Sequence, residues 1–581
     1  MGFAAILSVT LIPALEVLMI RGISHSPAFL ALPWRRQKGG RSYSLSPGGE
    51  LARQPAAQVS LRVEPRIETW GRSSLGNMKR LVATRMCLVV LVLVASCDSV
   101  QRRATTVEST RRRVAQSDSS ERLSASMVQF SNSVTSTLED EAASNTYSHQ
   151  KLLGARKRLG EPLVQLEPTD TDAVFASTDC SGWLSFALNT VSPLHEAVLQ
   201  SQRRLPEYNR TYSEDFALRE RWRPWSRAFV VTQYLRAEYA ETTGFEPVTN
   251  FEQLRPGDIG AYAMGRYAKP SDESRPKPKD TGHVFIVVGS PTVVDPESEG
   301  YDARGTLSAK AARVIAVSVV DSSATVHFDP DSRKSEKGRY TPPDVVPRIG
   351  AKPGGVGAGT IWFAVSAEGR VIQRRLGASQ RYRPVLARAA RLRGRVSLDD
   401  MVLDDGGALL VKVFENSPSE FEGLSYGDAP IHLSGVGGLR LASGRLVLNG
   451  DNDFSGGVTV ESGELIAGSS TALGSGDVAI RGGSVILQEP AIATTASLSL
   501  EEGLPDGALR LDFRGRGVVR SLRIGNAMHR CGTWGGPESG AMFVDPVFSG
   551  RGILELSGKP IEACASASKI SQDPLGSPQR M

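Results

Sequence analysis

Cysteine is scarce and scattered in this chain of 581 residues. The five are Cys87, Cys97, Cys180, Cys531 and Cys564. No two form a CxxC pair and no Cys/His group has zinc spacing, so no structural metal site is expected. Histidine is sparse too, with seven in all. Clean membrane-length apolar runs are missing: the stretch 86–95 is too short to span a bilayer, and the run over residues 1–20 is interrupted by Glu16 and lacks a basic lead. A basic domain is also missing. The positive excess sits in residues 1–97, with twelve Lys/Arg against four Asp/Glu, and the rest of the chain is slightly acidic. That distribution argues against nucleic acid as a partner. Gly355, Gly357 and Gly359 cluster in "GGVGAGTIWFAV", but a strand-like run follows them. A phosphate cradle needs a helix N-terminus there, so the stretch reads as a tight turn into a strand and no cofactor is expected.

What is present begins with an address. From Met78 the chain reads "MKRLVATRMCLVVLVLVASCDSV". Lys79, Arg80 and Arg85 precede the apolar run, and Val94-Ala95-Ser96-Cys97 closes it with small residues before a cysteine. That order is a secretory signal over 78–97. Its end resembles a bacterial lipobox, which implies lipidation at Cys97, an exported protein and a membrane anchored by acyl chains. An ordinary cleavable signal with an incidental Cys97 is the alternative. An internal signal is not recognised from deep inside a chain, so translation is expected to start at Met78, leaving residues 1–77 outside the mature protein.

Residues 98–164 are rich in Ser, Thr, Arg and Glu and read as a disordered tether. Residues 165–376 mix apolar runs, aromatics and turn signals, as a globular domain does. Residues 377–400, Arg-rich and without an acid before Asp399, read as a linker. The region 401–560 differs, because 30 of the 58 glycines fall after residue 400. Short alternating pairs recur between glycine turns: Leu446/Leu448, Val458/Val460, Val478/Ile480 and Val485/Leu487. Period two bounded by glycine predicts strands, and their regular recurrence predicts stacked rungs. The stretch 443–487 resembles the autotransporter-associated β-strand repeat, which implies an all-β, right-handed parallel β-solenoid serving as a spacer or binding face. No membrane β-barrel sequence follows it. Residues 561–581 read as a disordered tail. Cys531 and Cys564 are free to pair in an oxidising compartment, but spacing alone does not decide it.

The chemistry centres on "TDCSGWLSFAL". Asp179 or Thr178 is placed to cap a helix that opens at Cys180, with Trp183, Phe186, Ala187 and Leu188 available for a core. A helix N-terminus stabilises a thiolate, and its free N–H groups around Cys180 and Ser181 are suited to an oxyanion. A base is needed next. His283 opens the strand-like run "GHVFIVV", and "RVIAVSVVDSS" follows. If these two strands pair antiparallel, the start of the first meets the end of the second, making His283 and Asp321 neighbours. A carboxylate there fixes the imidazole tautomer. His327 is a rival third member or a substrate contact, and His195 reads as structural. Trp222 and Trp225 either line a substrate cleft or belong to the core.

In order, D-C-S-G, then L-x-P-G-D, then G-H-V-x-I-V resembles the motif series of NlpC-type cysteine peptidases of bacterial cell walls. The resemblance implies an α+β papain-like domain over 165–376, Cys180 and His283 as the catalytic pair, and a peptidoglycan peptide as substrate. Asp321 stands where that family usually has His, Asn or Gln. The gap of 103 residues between Cys180 and His283 is longer than is usual there. The expected function is an exported, membrane-anchored cysteine hydrolase of a cell-envelope amide or peptide, using Cys180, His283 and Asp321, with Asp179, Ser181 and Trp225 around the oxyanion. Acyl transfer by the same acyl-enzyme is an open variant. A non-catalytic adhesion or display protein is the alternative from another class. The sequence carries no signal of oligomeric state.

Overall fold

The computed structural model describes residues 117–139, 143–148, 163–168, 174–201, 225–235, 243–264, 282–295, 307–328, 331–333, 351–352, 354–377, 380–399, 403–404 and 406–557. The expected leader 1–97 with Cys97, the tail 561–581, Cys564 and Trp222 lie outside them. No helix among the described residues is long and apolar enough to cross a membrane.

A helix, α1, spans residues 117–138, inside the segment expected to be a tether. Its apolar side chains Leu123, Met127, Phe130, Val134 and Leu138 recur every three or four residues and are all buried. A stripe at that spacing lies on one helix face, and its neighbours on the other face are the polar residues that dominate the composition. Three short strands follow: β1 (Ser144–Ser148), β2 (Leu163–Gln165) and β3 (Phe175–Thr178). Then come helices α2 (Cys180–Val191), α3 (Pro193–Ser201) and α4 (Ala228–Tyr234).

The next strands are β4 (Phe245–Val248), β5 (Ile259–Met264), β6 (Gly282–Val287), β7 (Thr292–Val294) and β8 (Arg313–Ser323). They continue as β9 (Ala351–Lys352), β10 (Gly355–Val365), β11 (Val371–Arg375) and β12 (Arg383–Leu392). Six of them close an antiparallel barrel in the order β10-β11-β12-β5-β6-β8, with β8 returning to β10. That closing pair runs from Gly355 opposite Ser323 to Val365 opposite Arg313. Side chains of one parity fill the barrel: Phe285 and Val287, Ile315, Val317 and Val319, Ile361, Phe363 and Val365, and Ala387 and Ala389. The other parity of β6 and β8, Val284, Ile286 and Val320, faces the core formed with α1, α2 and α3. Burying one such side chain fully is worth about 1.5–3 kcal/mol.

The expected fold class is therefore overturned. The molecule is mostly β, with 41% strand against 16% helix, and neither an α+β papain-like domain nor a right-handed parallel solenoid is what forms. Two misread segments account for the first correction. The supposed tether supplies a core helix, and the supposed linker 377–400 supplies β12, the stave between β11 and β5. In β12 Val385, Ala387 and Ala389 enter the barrel, while Arg388 between the two alanines is exposed.

Beyond residue 400, short strands stack in two parallel sheets. In one, Leu439, Val458, Val478, Leu498 and Leu522 align across neighbouring strands. In the other, Leu446, Leu465, Val485, Leu509 and Phe548 do so. The alternating pairs seen in the sequence are all buried. The stack does not continue uniformly: an antiparallel strand pairs with Ser521–Ile524, and a separate mixed sheet of four strands follows. Nor is it a spacer. One apolar core runs from α1 through α2 into this region, with Phe130 touching Trp183, Phe421 and Tyr426.

Candidate active site

Cys180 is the first residue of α2, and it is a free thiol, buried to 5% exposure. Asp179 caps the helix. Its Oδ1 accepts from the Gly182 N–H at 2.8 Å, the Ser181 hydroxyl at 3.0 Å and the Trp225 indole N–H at 3.1 Å. Gly182 permits this arrangement, because a Cβ there would sit 2.8 Å from the Trp225 ring. Asp179, Ser181 and Trp225 thus build the helix tip, and the aspartate is engaged in holding it. The indole is 3% exposed and belongs to the core. The N–H groups of Cys180 and Ser181 are left over at the first turn, as two of the four that every helix leaves unpaired.

His283 and Asp321 come together. β6 and β8 pair antiparallel, with Ile286 opposite Val320, and His283 Nε2 lies 2.6 Å from Asp321 Oδ2. His327 reaches the same oxygen, with its Nε2 at 2.7 Å. Arg333 NH1 takes the other oxygen of Asp321, and Arg333 Nε bonds Asp331 at 2.9 Å. Asp331 also accepts from the His327 backbone N–H. All five side chains are buried. The site halves are stitched together close to the chemistry, one residue after Asp321 and two before Cys180: Ser322 Oγ donates to the Thr178 carbonyl at 2.7 Å.

Burial alone would push the Asp321 carboxyl up, but His327, Arg333 and His283 hold it well below the usual carboxylate range. An ionised carboxylate only accepts, so both imidazoles donate to it through Nε2. Burial opposes a charge on His283, yet Asp321, Cys180 and Tyr262 raise its pKa well above the ordinary value. Burial lowers that of His327, and Arg333 adds to the effect. No hydrogen bond joins Cys180 to His283, although α2 packs on β6 and the thiol is near enough to act on the imidazole's charge.

Asp331 and Arg333 were not anticipated from the sequence. The glycines of "GGVGAG" are the missed signal. They lie within β10 instead of forming a turn ahead of it. A Cβ on Gly357 would sit 2.6 Å from Arg333 Cγ, and one on Gly359 would sit 2.6 Å from Arg333 NH2 and 2.8 Å from His327 Cβ. The glycines make room for the arginine and the second histidine inside the barrel end.

His283, Asp321 and His327 place three potential metal-ligand atoms within 4.8 Å of one another. The donor set fits a cation poorly. Both nitrogens already share one oxygen through their protons, and the Arg333 guanidinium neutralises the same carboxylate. The remaining histidines have other roles. His195 is fully buried between the Ser192 hydroxyl (2.7 Å) and the Gly244 carbonyl (2.9 Å), and burial lowers its pKa to about 4. An unfolded histidine titrates near 6.5, so the unfolded chain binds the extra proton first. Stability should therefore fall as pH drops from 6.5 toward 4, by at most ~1.4 kcal/mol per pH unit. Urea unfolding of wild type and His195→Gln across that range would check it, with a flatter dependence expected in the variant. His432 and His529 lie far along the chain, with the His529 ring tilted against Trp534 at 4.2 Å between centroids. Cys531 is disulfide-bonded.

Compared with known proteins, the chain matches no family model, no curated protein and no solved structure. The motif resemblance therefore rests on the residues themselves.

Proposed function

We propose that this protein is a cysteine hydrolase acting on an amide or peptide bond, with Cys180 as nucleophile and His283 as general acid and base. The observation that carries the reading is the pairing of a buried free thiol at a helix tip with a neighbouring buried imidazole that already donates to a carboxylate. Asp321 uses Nε2 of His283, which leaves Nδ1 for the thiol. In the reaction, Cys180 Sγ closes to hydrogen-bond distance and attacks the carbonyl carbon. The N–H groups of Cys180 and Ser181 are suited to the developing oxyanion, where one donor is typically worth ~3–4 kcal/mol. His283 delivers the proton to the leaving amine. Water, deprotonated by His283, then cleaves the thioester and restores the thiol.

The motif order supports a cell-envelope substrate, with a peptidoglycan peptide first, and the segment 78–97 supports export with a lipid anchor at Cys97. A binding or display protein is the competing reading, and a thiol test separates the two. Iodoacetamide should label Cys180 rapidly at pH 6–7, and Cys180→Ala should abolish both labelling and hydrolysis of an envelope fraction, a loss of more than ~10³-fold. Full hydrolysis by the variant would end the proposal. Prolonged chelation should leave the wild-type rate unchanged; loss on chelation would make the histidine cluster a metal centre instead.

A further inference from the structure

Two arginines face each other across neighbouring strands at the end of the barrel where β6 begins with His283. Arg374 on β11 stands directly opposite Arg383 on β12. Like charges in opposed positions destabilise a sheet, and no carboxylate pairs with either among the described residues. Arg374 lies opposite Phe363 on its other side, so it points into the barrel, where it is 4% exposed. Its Nη1 donates to the Gln380 amide oxygen at 2.8 Å, its Nη2 reaches only the Met264 sulfur at 3.1 Å, and its Nε is buried with no acceptor. A thioether is a weak acceptor, so one whole edge of the guanidinium, Nε with Nη2, lacks an oxygen. The same edge of Arg391 shows what it fits: there Nε and Nη2 grip the two carboxylate oxygens of Asp258, at 2.9 and 3.0 Å. Arg333 is likewise met by Asp321 and Asp331. Burying a cation without its anion is costly, and an opposed second arginine adds to the cost, so fold stability is a poor account of Arg374.

We propose that Arg374 is a specificity-determining residue of the thiol site, whose Nε and Nη2 take a carboxylate of the substrate side-on while Arg383 attracts it from the rim. This rests on the hydrolase reading above and names the substrate class: a peptide that carries a free carboxylate close to the bond cleaved. The Tyr262 ring sets the distance. The guanidinium carbon lies 5.4 Å from its centroid on one side, and the His283 ring lies 5.7 Å from it on the other. An extended peptide covers that span in about three residues. Met264 and Gln380, which hold the two terminal nitrogens, are half-buried, and Arg383 is exposed, so the fork lies one side chain below solvent. A carboxylate that displaces the Met264 sulfur completes the planar two-bond pairing for which a guanidinium is shaped.

The test uses the full chain carrying Cys180→Ala, so that no turnover occurs, labelled with ¹⁵N-arginine. Acetyl-trialanine should shift the Arg374 Nε–H signal, identified by its loss in Arg374→Lys. The C-terminal amide of the same peptide should bind about ten- to a hundredfold more weakly, the range for hydrogen bonds to a charged group. Arg374→Gln should erase that preference, yet its urea midpoint should equal or exceed that of its parent, whereas an arginine needed only for the fold would lower it. With Cys180 restored, an envelope fraction whose carboxylates have been amidated should be hydrolysed at least about tenfold more slowly than the native fraction, through KM. Arg374→Gln should treat both fractions alike. Equal binding of acid and amide, inorganic phosphate bound as tightly as the acid, or an Arg374→Gln that loses stability and keeps the preference would overturn the inference. If Arg374→Gln does not fold, the comparison of acid, amide and phosphate at the Nε–H still decides. Wild-type hydrolysis that survives in Cys180→Ala would sink the hydrolase reading alone, since the binding readout does not depend on it. Equal wild-type hydrolysis of native and amidated fractions would remove the carboxylate subsite and leave the thiol chemistry standing.

Discussion

Replacing Asp321 with Ala should cost about 3–5 kcal/mol of stability, the usual penalty for removing one partner of a buried ion pair. The carboxylate is fully buried, and its loss takes the acceptor from Arg333 NH1 and from two imidazole N–H groups at once. Asp321→Asn fares little better, because an amide offers one acceptor where three donors converge. Urea unfolding would measure the loss. A double variant supplies the control: Asp321→Ala combined with His327→Leu removes the carboxylate together with one of the two imidazoles that donate to it, and should cost less than the sum of the two single losses. A single variant within 1 kcal/mol of wild type would mean that Asp321 is not the hub of this network.

Asn189→Ala should loosen the helix that carries the thiol, although the two residues lie more than two turns apart. Asn189 is fully buried on α2. Its Nδ2 donates to the Lys412 carbonyl at 2.8 Å, and its Oδ1 accepts from the Phe414 N–H at 2.7 Å and the Ser417 hydroxyl at 3.1 Å. Truncation strands the buried Phe414 N–H in the interior, at about 1–3 kcal/mol. The expected result is early hydrogen exchange at Phe414 and a lowered urea midpoint. Unchanged protection at Phe414 would show that the side chain does not join the two regions.

The site was more legible in the sequence than the fold around it. Asp-Cys-Ser-Gly ahead of an apolar run is a capped helix with cysteine at its first turn, and local chemistry settles that much. His283 meeting Asp321 followed from antiparallel geometry between two successive strand-like runs. What failed depended on the rest of the chain. In α1 the Ser- and Glu-rich composition outweighed a clear three-four spacing from Leu123 to Leu138. In β12 the arginines drew attention away from the alternating Val385, Ala387 and Ala389. Ring closure is a non-local event, and β12 fits only because β11 and β5 lie on either side of it. Asp331 and Arg333 escaped for a related reason. Nothing near "DPDSR" signals a buried guanidinium until glycines some 25 residues later are seen to leave a hollow for it.

The clamp of 412–417 on α2 bears on how the protein is made. The groups around the thiol are all synthesised by residue 333, but the stave that shuts the barrel and the backbone that grips Asn189 come afterwards. A polypeptide leaving the ribosome, or threading through a translocation pore, N-terminus first, therefore carries Cys180 without its finished surroundings until residues past 417 have followed. On the hydrolase reading, a chain caught part-way is inactive without a propeptide having to make it so.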